Sequence, residues 1–140
     1  MYRPPHALIT PGNFEEVCEI ARNKNKWLLV NLGCVGDFSC LRVNRDVWSK
    51  KHIQQLVRDY FVFWYIHINT ITGRRYTSYY SRKDLPHIAV LDPRTGERLA
   101  VWEGDEYSMD HTKLDEALNA FVAQHIGELS ERTVSTVDTS

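Results

Sequence analysis

Long hydrophobic runs are missing from this 140-residue chain. The longest, Tyr60-Phe61-Val62-Phe63-Trp64-Tyr65-Ile66, is far short of the ~20 residues that span a bilayer, so no membrane span is expected. Met1-Tyr2-Arg3-Pro4-Pro5-His6 lacks the apolar core of a signal peptide. Cysteine is scarce: Cys18, Cys34 and Cys40 are too few and too odd in number for a disulfide framework. A reducing, intracellular setting is the expectation. Excess charge of either sign is also lacking. Seventeen Lys and Arg against eighteen Asp and Glu give a net charge of -1, which supplies no global field for a nucleic-acid backbone.

Several chemical signatures are absent too. Gly33 and Gly36 are not followed by the Lys-Ser/Thr of a phosphate loop, and no Gly-x-Ser-x-Gly elbow occurs. The six histidines (6, 52, 67, 87, 111 and 125) are scattered, with no His-x-x-x-His and no Cys pair at ligand spacing, so neither metal nor cofactor is expected. Glu15-Glu16 and Asp105-Glu106 read as helix-start and turn positions rather than as a paired acid and base.

What remains is an ordinary globular composition, 43% hydrophobic and 25% charged, enough for one domain. Residues 1–12, with Pro4, Pro5 and Pro11, read as a lead-in that is either extended or draped over the domain. Residues 13–127 read as the folded body. Residues 128–140, rich in Ser and Thr, read as a flexible tail or linker. Asn13 with Glu16 forms a capping box, followed by an apolar stripe of Phe14, Val17, Cys18 and Ala21. Residues 27–32 form a buried strand ending at Gly33. Asp37 is placed to cap a helix that breaks near Ser49 and resumes through Ile53, Leu56, Val57 and Tyr60. A strand follows over 61–69, apolar on both faces at first. Thr70 or Thr72 caps a short helix bearing Tyr76, Tyr79 and Tyr80. Pro86 opens a strand over 87–91, and Asp92-Pro93-Arg94-Thr95-Gly96 turns it into a partner over 98–102. Leu114, Ala117, Leu118, Phe121 and Val122 mark a last helix expected to stop at Gly127. Strands linked through helices pair in parallel, and the closing hairpin adds antiparallel ones. The expected class is therefore α/β, a mixed central sheet flanked by helices.

That order, with Pro before the terminal hairpin, resembles the thioredoxin fold. Asn25-Lys26-Trp27-Leu28-Leu29-Val30-Asn31, Asp37-Phe38-Ser39-Cys40, Asn44-Arg45-Asp46-Val47-Trp48-Ser49, Phe61-Val62-Phe63-Trp64 and Leu91-Asp92-Pro93-Arg94-Thr95-Gly96 together resemble the UAS domain of UBX-domain proteins. The resemblance implies a thioredoxin-like fold without a redox dithiol. It also implies a place inside a longer cytoplasmic or nuclear adaptor of the ubiquitin–proteasome pathway. Such adaptors carry a ubiquitin-binding domain before the UAS domain and, after it, a UBX domain that docks on valosin-containing protein.

Thioredoxin chemistry needs two thiols at C-x-x-C spacing on a helix N-terminus, the first exposed and acidified. The matching quartet is Asp37-Phe38-Ser39-Cys40. Asp stands at the nucleophile position and only the resolving position keeps a sulfur. A thiol-dependent oxidoreductase using Cys40 is the enzymatic alternative; the expectation is no enzyme. Pro86 is the second remnant, and a cis Leu85–Pro86 bond is expected from the resemblance, against the commoner trans form. Arg42, Arg45, Lys50 and Lys51 cluster near the helix break. They read as a partner surface, as a site for the carboxylate of a long-chain fatty acid that some UAS domains sense, or as a solvated face. Tyr76, Tyr79 and Tyr80 read as core or as an interaction patch.

Overall fold

A computed structural model describes residues 4–138, with side chains described for residues 4–129. The first helix, α1 (Phe14–Lys24), starts on the expected capping box. Asn13 Oδ1 accepts the Glu16 N–H at 2.9 Å, and Glu16 Oε1 accepts the Asn13 N–H at 3.0 Å. Asn25 ends the helix at φ 55. Strand β1 (Trp27–Gly33) is buried along its whole length. Helix α2 (Phe38–Asp46) and helix α3 (Lys51–Tyr60) are separated by the expected break. Strand β2 (Phe61–His67) is two residues shorter than expected. Of the two candidate caps, Thr70 starts α4 (Ile71–Tyr79), its hydroxyl accepting the Gly73 N–H at 3.0 Å. Gly73 is required there, because a Cβ would fall 1.9 Å from the His67 carbonyl oxygen. Strands β3 (His87–Leu91) and β4 (Arg98–Glu103) flank the Asp92–Gly96 turn, where Gly96 takes φ 79. A short α5 (Glu106–Met109) and a long α6 (His111–Asp138) complete the order.

The sheet order is β2-β1-β3-β4. β1 runs parallel to β2, from Trp27 opposite Phe61 to Gly33 opposite His67. β3 is antiparallel to both β1 and β4. Alternation of side chains along the strands then sorts the apolar residues into two layers. Trp27, Leu29, Phe61, Phe63, Ile88 and Val90 meet residues of α2, α3 and α6. Leu28, Val30, Leu32, Val62, Trp64 and Ala89 meet α1 and α4. The lead-in touches the domain. Leu8 is buried in the first layer, and the Thr10 N–H donates to the Phe63 carbonyl on the outer edge of β2 at 2.9 Å.

Two elements depart from the sequence reading. α5 was not expected; four residues are too few to show a period. Its start follows Gly104 at φ 99, and Ser108 is fully buried within it. The expected stop at Gly127 is not used: α6 runs through Gly127 to Asp138, across most of the segment expected to be a tail. Glycine inside a helix costs only about 1 kcal/mol. Beyond it Leu129 is buried against the core, with its carbonyl accepting from Asn25 Nδ2 at 3.1 Å. Among the described residues, no helix is long and apolar enough to cross a membrane.

Candidate functional site

β1 ends at Gly33, where the Tyr65 ring lies so close that a Cβ would fall 2.5 Å from its hydroxyl. The chain then turns through Cys34, Val35 and Gly36 (φ 89) into α2. His67, opposite Gly33 on β2, holds this loop, since the Val35 N–H donates to its Nε2 at 2.9 Å. Asp37 sits at the mouth of α2 as its N-cap, with Oδ1 accepting the Cys40 N–H at 3.0 Å. The negative side chain is favoured there by the helix dipole. The mouth of α2 therefore carries a carboxylate, with Cys40 three residues on.

Cys40 lies one turn inside and is 2% exposed. Burial, with the Asp37 charge and hydrogen bond adding to it, pushes its thiol up to about 12; a backbone hydrogen bond from Cys34 offsets only part of this. Little thiolate exists at neutral pH, and the thiolate is the reactive form. Cys34 is half-buried, with Sγ 3.7 Å from the Val35 carbonyl, and all three cysteines are unpaired. Burial also raises the Cys18 thiol. Brief treatment of the native protein with iodoacetamide should therefore label Cys34 first and leave Cys18 and Cys40 largely unmodified, read by peptide mass spectrometry. Rapid labelling of Cys40 near neutral pH would contradict this order.

The Leu85–Pro86 bond is cis. Leu32 pairs with His87, so Pro86 lies next to the end of β1, where the Cys34–Asp37 loop departs. Phe38 projects outward, 68% exposed, with the Arg42 guanidinium 5.3 Å from its ring centre. Ser39 Oγ donates to Asp105, which ties α2 to α5. Val35 and Met109, on the loop and on α5, are also largely exposed. The mouth of α2 thus carries Asp37 among exposed apolar side chains. Three of the four basic residues surround one carboxylate: Arg45, by its hydrogen bond and charge, and Lys50 and Arg42, by charge, hold exposed Asp46 below the usual carboxylate range. Arg45 forms a two-point pair with Asp46 at 2.7 and 2.8 Å, Arg42 covers Phe38, Lys50 is the N-cap of α3, and Lys51 is exposed in its first turn.

Two polar groupings escaped the sequence reading. Beneath the mouth, Asn31 Nδ2 donates to Asn44 Oδ1 at 3.2 Å, joining β1 to α2. Behind Pro86, fully buried His87 sits between Tyr76 and Glu103. The Tyr76 hydroxyl lies 2.7 Å from Nε2, and Nδ1 lies 2.9 Å from Glu103 Oε2. The same carboxylate oxygen accepts the Lys83 N–H at 2.8 Å and the Asp84 N–H at 3.2 Å. Burial lowers the His87 pKa, outweighing the attraction of Glu103, so the ring is neutral, donating from Nδ1 and accepting the tyrosine proton. Burial raises the Tyr76 pKa. Glu103 is held below the usual carboxylate range: its hydrogen bonds from His87, Lys83 and Asp84 outweigh its burial. Only the register of β3 against β4, which pairs His87 with Glu103, could have signalled this network. Among the described residues, no three His, Cys, Asp or Glu side chains gather as metal ligands do.

A family model described as thioredoxin-like matches residues 9–93. The chain is 35% identical over 136 residues to a plant UBX domain-containing protein 7 of Arabidopsis thaliana, covering 94% of this chain and 28% of that protein. It is 37% identical over 104 residues to a UBX domain-containing protein 7 homolog of Dictyostelium discoideum, covering 74% of this chain and 21% of that one. It thus spans about a quarter of the length of these curated relatives. A thioredoxin from Thermus thermophilus superposes with a TM-score of 0.71 at 18% identity, covering 86% of this chain and 93% of that structure, which shows a shared fold. With the motifs of the UAS domain, these similarities place the chain in the thioredoxin-like family, in the UAS form carried by UBX domain-containing proteins.

Proposed function

We propose that this domain is a non-catalytic contact module of an adaptor in ubiquitin-dependent protein degradation, working in the cytoplasm or nucleus alongside valosin-containing protein. The carrying observation is Asp37. Its carboxylate fills the nucleophile position, spends a hydrogen bond on capping α2, and helps suppress ionisation of the one sulfur left in the motif. A scaffold that keeps its mouth but replaces its nucleophile is suited to contact. Val35, Phe38 and Met109 supply apolar surface there of the kind that interfaces use. Contact with valosin-containing protein is expected of the UBX domain rather than of this one.

Insulin reduction in the presence of dithiothreitol tests the reading. The chain should precipitate insulin no faster than dithiothreitol alone. Turnover that disappears in Cys40→Ala would overturn the proposal in favour of a thiol-dependent oxidoreductase. Oleate titration, followed by light scattering, addresses the fatty-acid alternative. Oligomers that form on oleate addition and vanish in a Lys50→Glu/Lys51→Glu variant would favour a lipid-responsive module.

A further inference from the structure

On the sheet face away from the mouth of α2, the helices α1 and α4 form the walls of an open groove of about 890 Å³, closed at one end by the Asp92–Gly96 turn. Its construction is rigid. Arg22 on α1 donates from Nη1 to the Pro93 carbonyl at 2.9 Å, and the Tyr80 hydroxyl beyond α4 donates to the Gly96 carbonyl at 2.6 Å. Both walls therefore hold the turn. The floor is equally fixed: Trp64 Nε1 donates to the Gly12 carbonyl at 2.9 Å, and the Tyr76 hydroxyl is committed to His87. A groove already shaped avoids much of the ordering cost of binding.

We propose that this groove is a docking site for an extended, acidic segment of a partner protein that carries aromatic side chains among its carboxylates. The aromatic part of the argument is Tyr79. Its neighbours pack inward, whereas Tyr79 is 83% exposed, leaning on Tyr80 with ring centres 5.4 Å apart. Tyr80 in turn stacks on Tyr76, ring centres 5.0 Å apart. The result is a ledge of three rings rising from the buried floor to solvent. Aromatic surface beside arginine is the composition that interfaces favour.

The charge argument commits the occupant. Arg75 on α4 and Arg94 on the turn line the groove, are exposed, and form no ion pair among the described residues. With Arg22 they put three guanidiniums around the closed end and the α4 wall. Glu15 and Glu19 line the opposite wall on α1. That polarity suits a narrow strand of mixed chemistry, with its carboxylates turned toward α4 and the turn. A uniform polyanion would meet the two glutamates. The site is separate from the α2 mouth, so it stands or falls independently of the non-catalytic reading above.

The test is fluorescence anisotropy of the chain with a fluorescein-labelled peptide, Glu-Phe-Glu-Ser-Glu-Phe-Glu-Ser, whose carboxylates share one face when extended. Two control peptides replace every Glu by Lys or every Phe by Ser. Saturable micromolar binding of the first peptide alone is expected, weakening as salt is raised. An Arg75→Glu/Arg94→Glu variant should lose about tenfold or more in affinity, and Tyr79→Ala several-fold. Both changes are on exposed side chains, and circular dichroism confirms folding. Arg42→Glu, at the other site, should bind as the unmodified chain does. No saturable binding, equal binding of the Lys peptide, or undiminished binding by the folded double variant would each overturn the proposal. Sedimentation velocity covers the remaining occupant: a concentration-dependent dimer abolished by Arg75→Glu/Arg94→Glu would assign the groove to a second copy instead.

Discussion

Asp37→Cys is expected to create a reducible dithiol where the unmodified chain has none. The substitution places a thiol at the N-cap of α2, where the helix dipole favours its ionised form. It also removes the carboxylate whose charge and hydrogen bond help hold the Cys40 thiol near 12. The loss of the N-cap contact from Asp37 to the Cys40 N–H costs about 1 kcal/mol, which a folded domain tolerates. Glutathione disulfide should then oxidise the variant. Two thiols give up two electrons and two protons, a bond forms between the sulfurs at positions 37 and 40, and two molecules of glutathione are released. A thiol count on the recovered protein, in a Cys34→Ser background that removes the accessible third cysteine, reads this directly, with two thiols lost from the Asp37→Cys variant and none from its Asp37 parent. Insulin reduction should rise about tenfold or more above the unmodified chain, because dithiothreitol can recycle the new pair. If the unmodified chain reduces insulin as fast as the variant, the role assigned to Asp37 is wrong.

The second large effect belongs to the buried network behind Pro86. Glu103→Ala removes the acceptor for His87 Nδ1 and for the Lys83 and Asp84 N–H groups at once. Leaving buried His87 Nδ1 without its partner costs about 2 kcal/mol, the exposed Lys83 and Asp84 N–H groups turning to water, and His87→Ala should cost about 3 kcal/mol by orphaning Tyr76 and opening a cavity. In a chain of this length that lowers the thermal midpoint by about 10 °C, readable by circular dichroism. The pH dependence has a definite sign. Burial holds the His87 pKa below its ordinary 6.5, so below pH 6.5 the unfolded chain takes up a proton that the folded chain refuses. Glu103 lies below its ordinary 4.5, so below pH 4.5 it repeats the pattern. Both groups make the unfolded state bind more protons, and stability must fall as the solution is acidified from neutrality. The His87→Ala variant, weaker at pH 7, should lose less between pH 7 and pH 5 than the unmodified chain. An equal or steeper decline in that variant would remove His87 from the account.

Local signals in this sequence were dependable where one residue does one job. Asn13 with Glu16, Asp37 and Gly96 each fix their own backbone, and each sits where its chemistry requires. The assignment of strands followed from unbroken apolar runs that both layers of helices cover. The choice between Thr70 and Thr72 could not be made from the residues alone. It turns on Gly73 passing close to the His67 carbonyl, which only the folded chain reveals. The same holds for the site. Asp37 and Cys40 were readable because their spacing is local. His87 looked like one of six scattered histidines, since Tyr76 and Glu103 lie 11 and 16 residues away in sequence and meet it only through the sheet. The groove was half legible. Its tyrosines stood out as a cluster, but Arg22, Arg75 and Arg94 come together only through the packing of two helices and a turn.

The bond from Thr10 to Phe63 has a consequence for handling the protein. β2 is a border of the sheet, and its outward carbonyls are an invitation for a stray chain to add itself. The segment from Leu8 to Thr10 lies over that border like a selvedge, anchored below by a buried leucine. Trimming the N-terminus back to Asn13 would strip this covering from the border, and with it the buried Leu8 and the Gly12 carbonyl that accepts from Trp64, so the shortened domain should be both less stable and quicker to aggregate.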